Sequence, residues 1–167
     1  WSKEPAESHP VERLASCSDR LLTLLSQLRN SGDKTVRLEI HQQIILLLTQ
    51  ALGYHYHRES LPTVHGDVLA VPVVNQTFDG DGKCRLWIIE TPLLGADEED
   101  TDPLSTAFQP EQFSEAVSDQ ISDTTLEEIV AEGIFAMGDA PRFLLVAGAS
   151  QWVLIDSRKW PARSVLR

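Results

Sequence analysis

Apolar side chains recur along this chain with two different periods, and the switch between them separates helical from extended parts. From Pro10 to Arg29 the positions Val11, Leu14, Cys17, Leu21, Leu24, Leu25 and Leu28 fall at three- and four-residue steps, which places them on one face of a helix. Asn30, Ser31 and Gly32 stop it. Asp33 is the expected N-cap of a second helix, with Gly53 at its C′ position. Its apolar residues Val36, Leu38, Ile40, Ile44, Ile45, Leu47, Leu48 and Leu52 span a wide arc, so this helix is expected to lie between two layers of the core.

After Gly53 the period shortens. Tyr54-His55-Tyr56-His57 alternates as a short half-exposed strand would. Val68 to Val74 is apolar nearly throughout, the pattern of a strand covered on both faces, with Pro72 marking an edge or a bulge. Asp79-Gly80-Asp81-Gly82 predicts a turn, and Cys84 to Glu90 resumes as a strand to complete a hairpin. Pro92 to Pro110 reads as an exposed polar loop, and Glu111 to Val117 as a short helix. Asp123-Thr124-Thr125 with Glu127 and Glu128 predicts a capped helix burying Leu126, Ile129, Val130, Ile134 and Phe135 and ending at Gly138. Phe143–Ala147 and Trp152–Ile155 form a second hairpin around Gly148-Ala149-Ser150-Gln151. The order α-α-β-β-β-α-β-β implies an α/β sandwich with a mixed sheet.

Composition narrows the class. The 167 residues are one domain's worth, and 42% hydrophobic content suffices for a core. Against 14 Lys and Arg stand 25 Asp and Glu, a net charge of −11, which argues against a domain that coats nucleic acid by itself. Much of that excess lies in the run Asp97-Glu98-Glu99-Asp100 and Asp102. Cys17 and Cys84 have no metal-ligand spacing and are too few for a disulfide scaffold, which implies a reducing, cytoplasmic setting. The strongest apolar stretch, Ile44 to Leu52, is far short of a membrane span. The chain begins at Trp1 and stops at Arg167, as expected for a piece of a longer protein: residues 1–33 form a lead-in and helix, and 34–167 the α/β domain.

Three acids occupy positions with chemical potential: Glu39 in the second helix, Asp67 before the long strand, and Glu90 at the end of the next. Antiparallel pairing of those strands brings Asp67 and Glu90 toward one edge of the sheet, where two carboxylates suit Mg²⁺. Each acid also has a plain structural role available, as a helix-edge, turn or strand-end residue. His55 and His57 share a strand face but have no third zinc ligand at matching spacing. Gly80-x-Gly82 precedes no helix and is a turn, not a phosphate loop. Trp87, Trp152 and Trp160 are expected in the core or at an interface. Arg142, Arg158, Lys159 and Arg163 gather near the C-terminal hairpin as the best basic patch, a candidate for DNA contact.

In this order the elements resemble the PD-(D/E)XK nuclease fold. The stretch Leu126–Trp160, including RFLLVAGASQWVLIDSRKW, and the closing RSVLR more narrowly resemble the N-terminal region of large restriction–modification and phage-defence proteins that continue into an N6-adenine DNA methyltransferase. The likeness spans roughly Arg37 to Arg167. It implies a restriction-endonuclease-like three-layer sandwich, with Glu39 as the helix acid, Asp67 as the first metal ligand and Glu90 as the acid of the E-x-K motif. The pattern then breaks: Pro92 stands where the catalytic lysine belongs. Lys83 lies seven residues from Glu90, about 23 Å along a strand. A proline cannot stabilise developing phosphorane charge.

The resemblance therefore implies a catalytically degenerate nuclease-like domain of a DNA-modifying enzyme, engaging DNA or the parent's other domains. Mg²⁺ would bind only if the site were active, and S-adenosylmethionine only in the missing part. The chain itself has neither an Asp/Asn-Pro-Pro-Tyr/Phe tetrapeptide nor a glycine-rich cofactor loop. Two alternatives stand beside this reading: an active Mg²⁺-dependent endonuclease with a relocated cation, and a protein-interaction domain with no nucleic-acid role.

Overall fold

The computed structural model describes residues 9–62, 70–94, 101–113, 124–160 and 165–166. Helix α1 (Pro10–Asn30) starts where Glu12 accepts a hydrogen bond from the His9 N–H and Pro10 supplies the first helical position. Helix α2 (Lys34–Ala51) starts at Asp33, whose Oδ1 accepts from the N–H groups of Thr35 and Val36 at 2.8 and 3.1 Å. It ends at Ala51 with Leu52 as C-cap, and Gly53 takes the left-handed φ of +93° that releases the chain. The two helices pack through Leu24, Ile40 and Ile44, while Ile45 turns toward the sheet against Val74, Ile88 and Ala147. The wide apolar arc of α2 thus serves two partners, as its sequence predicts.

The strands are β1 (Glu59–Pro62), β2 (Ala70–Phe78), β3 (Cys84–Glu90), β4 (Phe143–Ala147), β5 (Trp152–Asp156) and β6 (Val165–Leu166). They lie side by side in chain order, antiparallel except for the parallel pair β3/β4. The connection between those two carries two single 3₁₀ turns (Pro103–Ser105 and Pro110–Gln112) and helix α3 (Leu126–Glu128), which continues as a π-helical turn over Ile129–Ile134. The first 3₁₀ turn and the α3/π segment cover the face opposite α1 and α2, while the second 3₁₀ turn reaches α2, with Glu111 4.0 Å from Lys34. Leu104, Phe108, Leu126, Ile129, Val130 and Ile134 pack there on Val71, Val73, Ile89, Leu144, Val146, Val153 and Ile155. The result is an α/β architecture of three layers with a mixed sheet in the middle, an arrangement not specific to restriction endonucleases.

Both predicted hairpins form. The β2–β3 turn is closed by Asp79, whose Oδ1 accepts from the N–H groups of Asp81 and Lys83, with Gly82 at φ +75°. Pro72 faces the four-residue β1, and the register with β3 shifts between Val73 and Asn75, so the expected irregularity falls beside the proline. Three expectations need correction. Tyr54–His57 does alternate, with the tyrosines half-buried and the histidines exposed, but it is not one of the regular strands: it precedes β1 and is tied to β2 by the His57 N–H donating to the Val74 carbonyl at 2.9 Å and Asn75 Nδ2 donating to the His55 carbonyl at 2.6 Å. The second half of the supposed polar loop is core: Pro103, Leu104 and Phe108 are buried. The α3/π segment ends at Ile134, four residues before Gly138: the Phe135 N–H makes a last π-type bond to the Val130 carbonyl, and the Met137 N–H then turns to the Ile134 carbonyl. Residues 114–117 of the expected short helix, the acidic run 97–100 and Asp123 lie outside the described residues.

Candidate functional site

Glu90 ends β3, and its side chain is fully buried. Arg58, just before β1, meets it with both arms: Nε donates to Oε1 at 2.6 Å and Nη2 to Oε2 at 3.2 Å. The same Nη2 donates to the Gln112 carbonyl, and Gln112 bridges in turn, its Nε2 donating to the Thr91 carbonyl and its Oε1 accepting from the Leu93 N–H. The Tyr56 hydroxyl is close enough to the Glu90 carboxylate for each to influence the other's ionisation. Burial pushes the Glu90 carboxyl up from its ordinary range, offset in part by the Arg58 guanidinium. Burial, then the Glu90 charge, pushes the Tyr56 phenol up to about 12.

This geometry leaves Glu90 poorly placed to hold a metal. A bidentate guanidinium engages both carboxylate oxygens and puts a positive charge where Mg²⁺ would have to sit. Among the described residues no group of three or more His, Cys, Asp or Glu side chains converges. Glu39 is exposed on α2, two residues from both Arg37 and His41 and hence on the far side of the helix from them. It is not brought to Glu90. Asp67 lies outside the described residues, although β2 does run antiparallel to β3 with its first described residues level with Glu90, since Val73 faces Ile89. His55 and His57 are exposed, and no third ligand joins them among the described residues.

Two residues of the expected basic patch, Arg142 and Arg158, belong to a larger feature at the opposite end of the sheet. A broad cleft of about 1260 Å³ runs between the β2–β3 turn and the segment before β4. Arg142 and Arg158 line it, joined by Lys83 and Arg85, against two aspartates, Asp79 and Asp139. Lys83, Arg85 and Arg158 are exposed. Arg142 is half-buried: its Nη2 donates to Asp156 at 2.8 Å, its guanidinium lies 5.1 Å from the Phe143 ring centroid, and its buried Nη1 has no partner among the described residues. Trp87 contributes wall, and its buried indole N–H has no hydrogen-bond acceptor among the described residues. Phe78 stands at the rim, 57% exposed. Lys159 is exposed on the turn that follows β5, and Arg163 lies outside the described residues. Trp152 and Trp160 are half-buried in apolar packing, Trp160 edge-on to Phe135.

Fold and geometry define the chain as an α/β domain with a buried carboxylate held by a half-buried guanidinium at one end of its sheet and a basic cleft at the other. No protein-family model, curated protein or solved structure matches it.

Sequence reasoning missed Arg58, Gln112, Lys83 and Arg85. Arg58 is 32 residues from Glu90, and nothing local marks the pair. The signal for Lys83 and Arg85 was present, because a turn of known position places strand-start cations at one end of the sheet.

Proposed function

We propose that this chain is a nuclease-like domain that engages DNA without cutting it, as one part of a larger DNA-modifying enzyme of the restriction–modification kind. The observation that carries the non-cutting half is the buried ion pair: Glu90 is occupied by Arg58, and Pro92 stands in the lysine position. The engagement half rests on the cleft, where three exposed cations, Lys83, Arg85 and Arg158, join Arg142, itself paired with Asp156, against two aspartates in a chain of net charge −11, and an exposed phenylalanine flanks them. Phosphates attract the cations, and an exposed ring offers a base a stacking surface. The net charge favours DNA contact in the company of the parent's other domains, which would also carry the S-adenosylmethionine chemistry. No membrane partner is part of this reading; among the described residues no helix is long and apolar enough to cross one.

The second reading, an active Mg²⁺-dependent nuclease, has one observation in its favour: Arg58 is a cation delivered to Glu90 from elsewhere in the chain. Incubating the chain and its Glu90→Ala variant with plasmid DNA and Mg²⁺ or Mn²⁺ separates the two. Intact plasmid in both reactions is the expected result. Nicking that the variant loses refutes the non-cutting reading.

A further inference from the structure

A second cavity, of about 220 Å³, opens where the parallel strands β3 and β4 end, between α1, the start of α2 and the β4–β5 turn. The carboxyl ends of parallel strands are where open α/β sheets bind ligands. Its inner wall holds Arg37, only 8% exposed. That guanidinium donates to three carbonyls: Nη1 to Leu28 and Ser31 at 2.7 and 3.3 Å, and Nη2 to Leu94 at 2.7 Å. Leu28 and Ser31 belong to the C-terminal end of α1, whose dipole supplies about half a negative charge. No carboxylate pairs with Arg37 among the described residues, so a buried positive charge is only partly offset.

Three of the five N–H donors of Arg37 are thereby used, leaving two, the number a carboxylate takes in bidentate pairing. The adjoining His41 is buried and neutral at pH 7, because burial and the nearby Arg37 charge hold its pKa down to about 4. It offers a ring nitrogen, 3.5 Å from the Thr91 hydroxyl, and no charge of its own. The remaining wall is mixed: Leu25, Leu28, Leu93 and Pro103 supply its apolar part, and Arg29, Ser150 and Gln151 its polar part. A void of roughly 150 Å³ accommodates a benzene ring, so a single ring or short aliphatic chain fits this cavity.

We propose that this cavity binds a small organic carboxylate, with its charge at Arg37 and its apolar body against Leu25, Leu28 and Leu93. The cavity is separate from the basic cleft, and the proposal stands whether or not the domain engages DNA.

Benzoate is the probe, with inorganic phosphate as the comparison, read by thermal unfolding and by the His41 ring signals in NMR. Benzoate at about 10 mM should raise Tm by about 3 °C and move the His41 signals, while phosphate should do neither. Arg37→Gln should abolish both effects. Because that substitution also loosens the bonds to Leu28 and Leu94, Ala149→Leu, which narrows the cavity with Arg37 intact, should abolish them too. The proposal is overturned by no response to benzoate, by an undiminished response in Ala149→Leu, or by a response to phosphate alone. A response to benzoate that appears only once Asp97, Glu98, Glu99 and Asp100 are amidated would put the chain's own carboxylates on Arg37, and overturns it as well.

Discussion

Replacing Arg58 by Met removes one partner of a buried pair and keeps most of the side-chain volume. Glu90 is fully buried, so its charge would then stand in the interior with only Tyr56 and neighbouring amides for company. Charge centres about 4 Å apart attract by about 4 kcal/mol at the effective dielectric of a protein site. Breaking buried pairs costs about 3–5 kcal/mol. The Arg58 side chain is 27% exposed, which screens the pair and favours the lower part of that range, about 3 kcal/mol. For a chain of this size the loss is roughly 10 °C in Tm.

The cost should also depend on pH. Burial raises the folded-state pKa of Glu90 above its ordinary 4.5, and removing Arg58 raises it further. A raised carboxyl contributes stability below the unfolded pKa and loses it as pH rises through the folded value. Arg58→Met should therefore be worst at pH 7 and partly recover near pH 4. Glu90→Gln should cost less, about 1–2 kcal/mol, because water can reach the stranded arginine. Urea unfolding followed by tryptophan fluorescence at both pH values measures all of this, and the double variant closes the cycle. A cost for Arg58→Met below about 1 kcal/mol at pH 7, or one equal at both pH values, refutes the reasoning.

Other consequences are equally specific. His41 has its pKa depressed from 6.5 to about 4, so stability present above 6.5 is lost as pH falls toward 4. His41→Gln should remove roughly 3 kcal/mol of that acid sensitivity in urea titrations across the window. Gly148→Ala would set a methyl 2.9 Å from Thr91 Cγ2 and Oγ1 and 3.0 Å from the Gln151 carbonyl, so it should cost about 1–3 kcal/mol in the same assay. Thr125→Ala removes the hydroxyl that accepts from the Glu128 N–H at 3.3 Å, and about 1 kcal/mol of stability with it.

What the sequence disclosed and what it hid follow from the range of the interactions. Helix α2 was legible because its N-cap Asp33, its apolar spacing and Gly53 are all local signals. The β2–β3 hairpin was legible through Asp79 and its glycines. The burial of Phe108 and Leu104 was hidden, because polar neighbours dominate that stretch and only packing beneath β2–β5 explains it. The alternation at Tyr54–His57 reported half-burial correctly, but its two hydrogen bonds to β2 do not make it a regular strand. The partial π winding of Ile129–Ile134 had no sequence mark. At the candidate site, sequence order singled out Glu90, whereas its neutralisation by Arg58 and the bridge through Gln112 depend on contacts dozens of residues apart.

The central claim, that the cleft carries DNA contact, is tested most directly by fluorescence anisotropy with a labelled duplex across salt concentrations. Three exposed cations, Lys83, Arg85 and Arg158, predict a slope of log affinity on log salt of about −3 for the wild type. The Lys83→Glu/Arg158→Glu variant should bind more weakly at every salt concentration, with a slope shallower by about 2. Wild-type affinity and slope retained in that variant, or no duplex binding by the wild type even at low salt, would contradict the account.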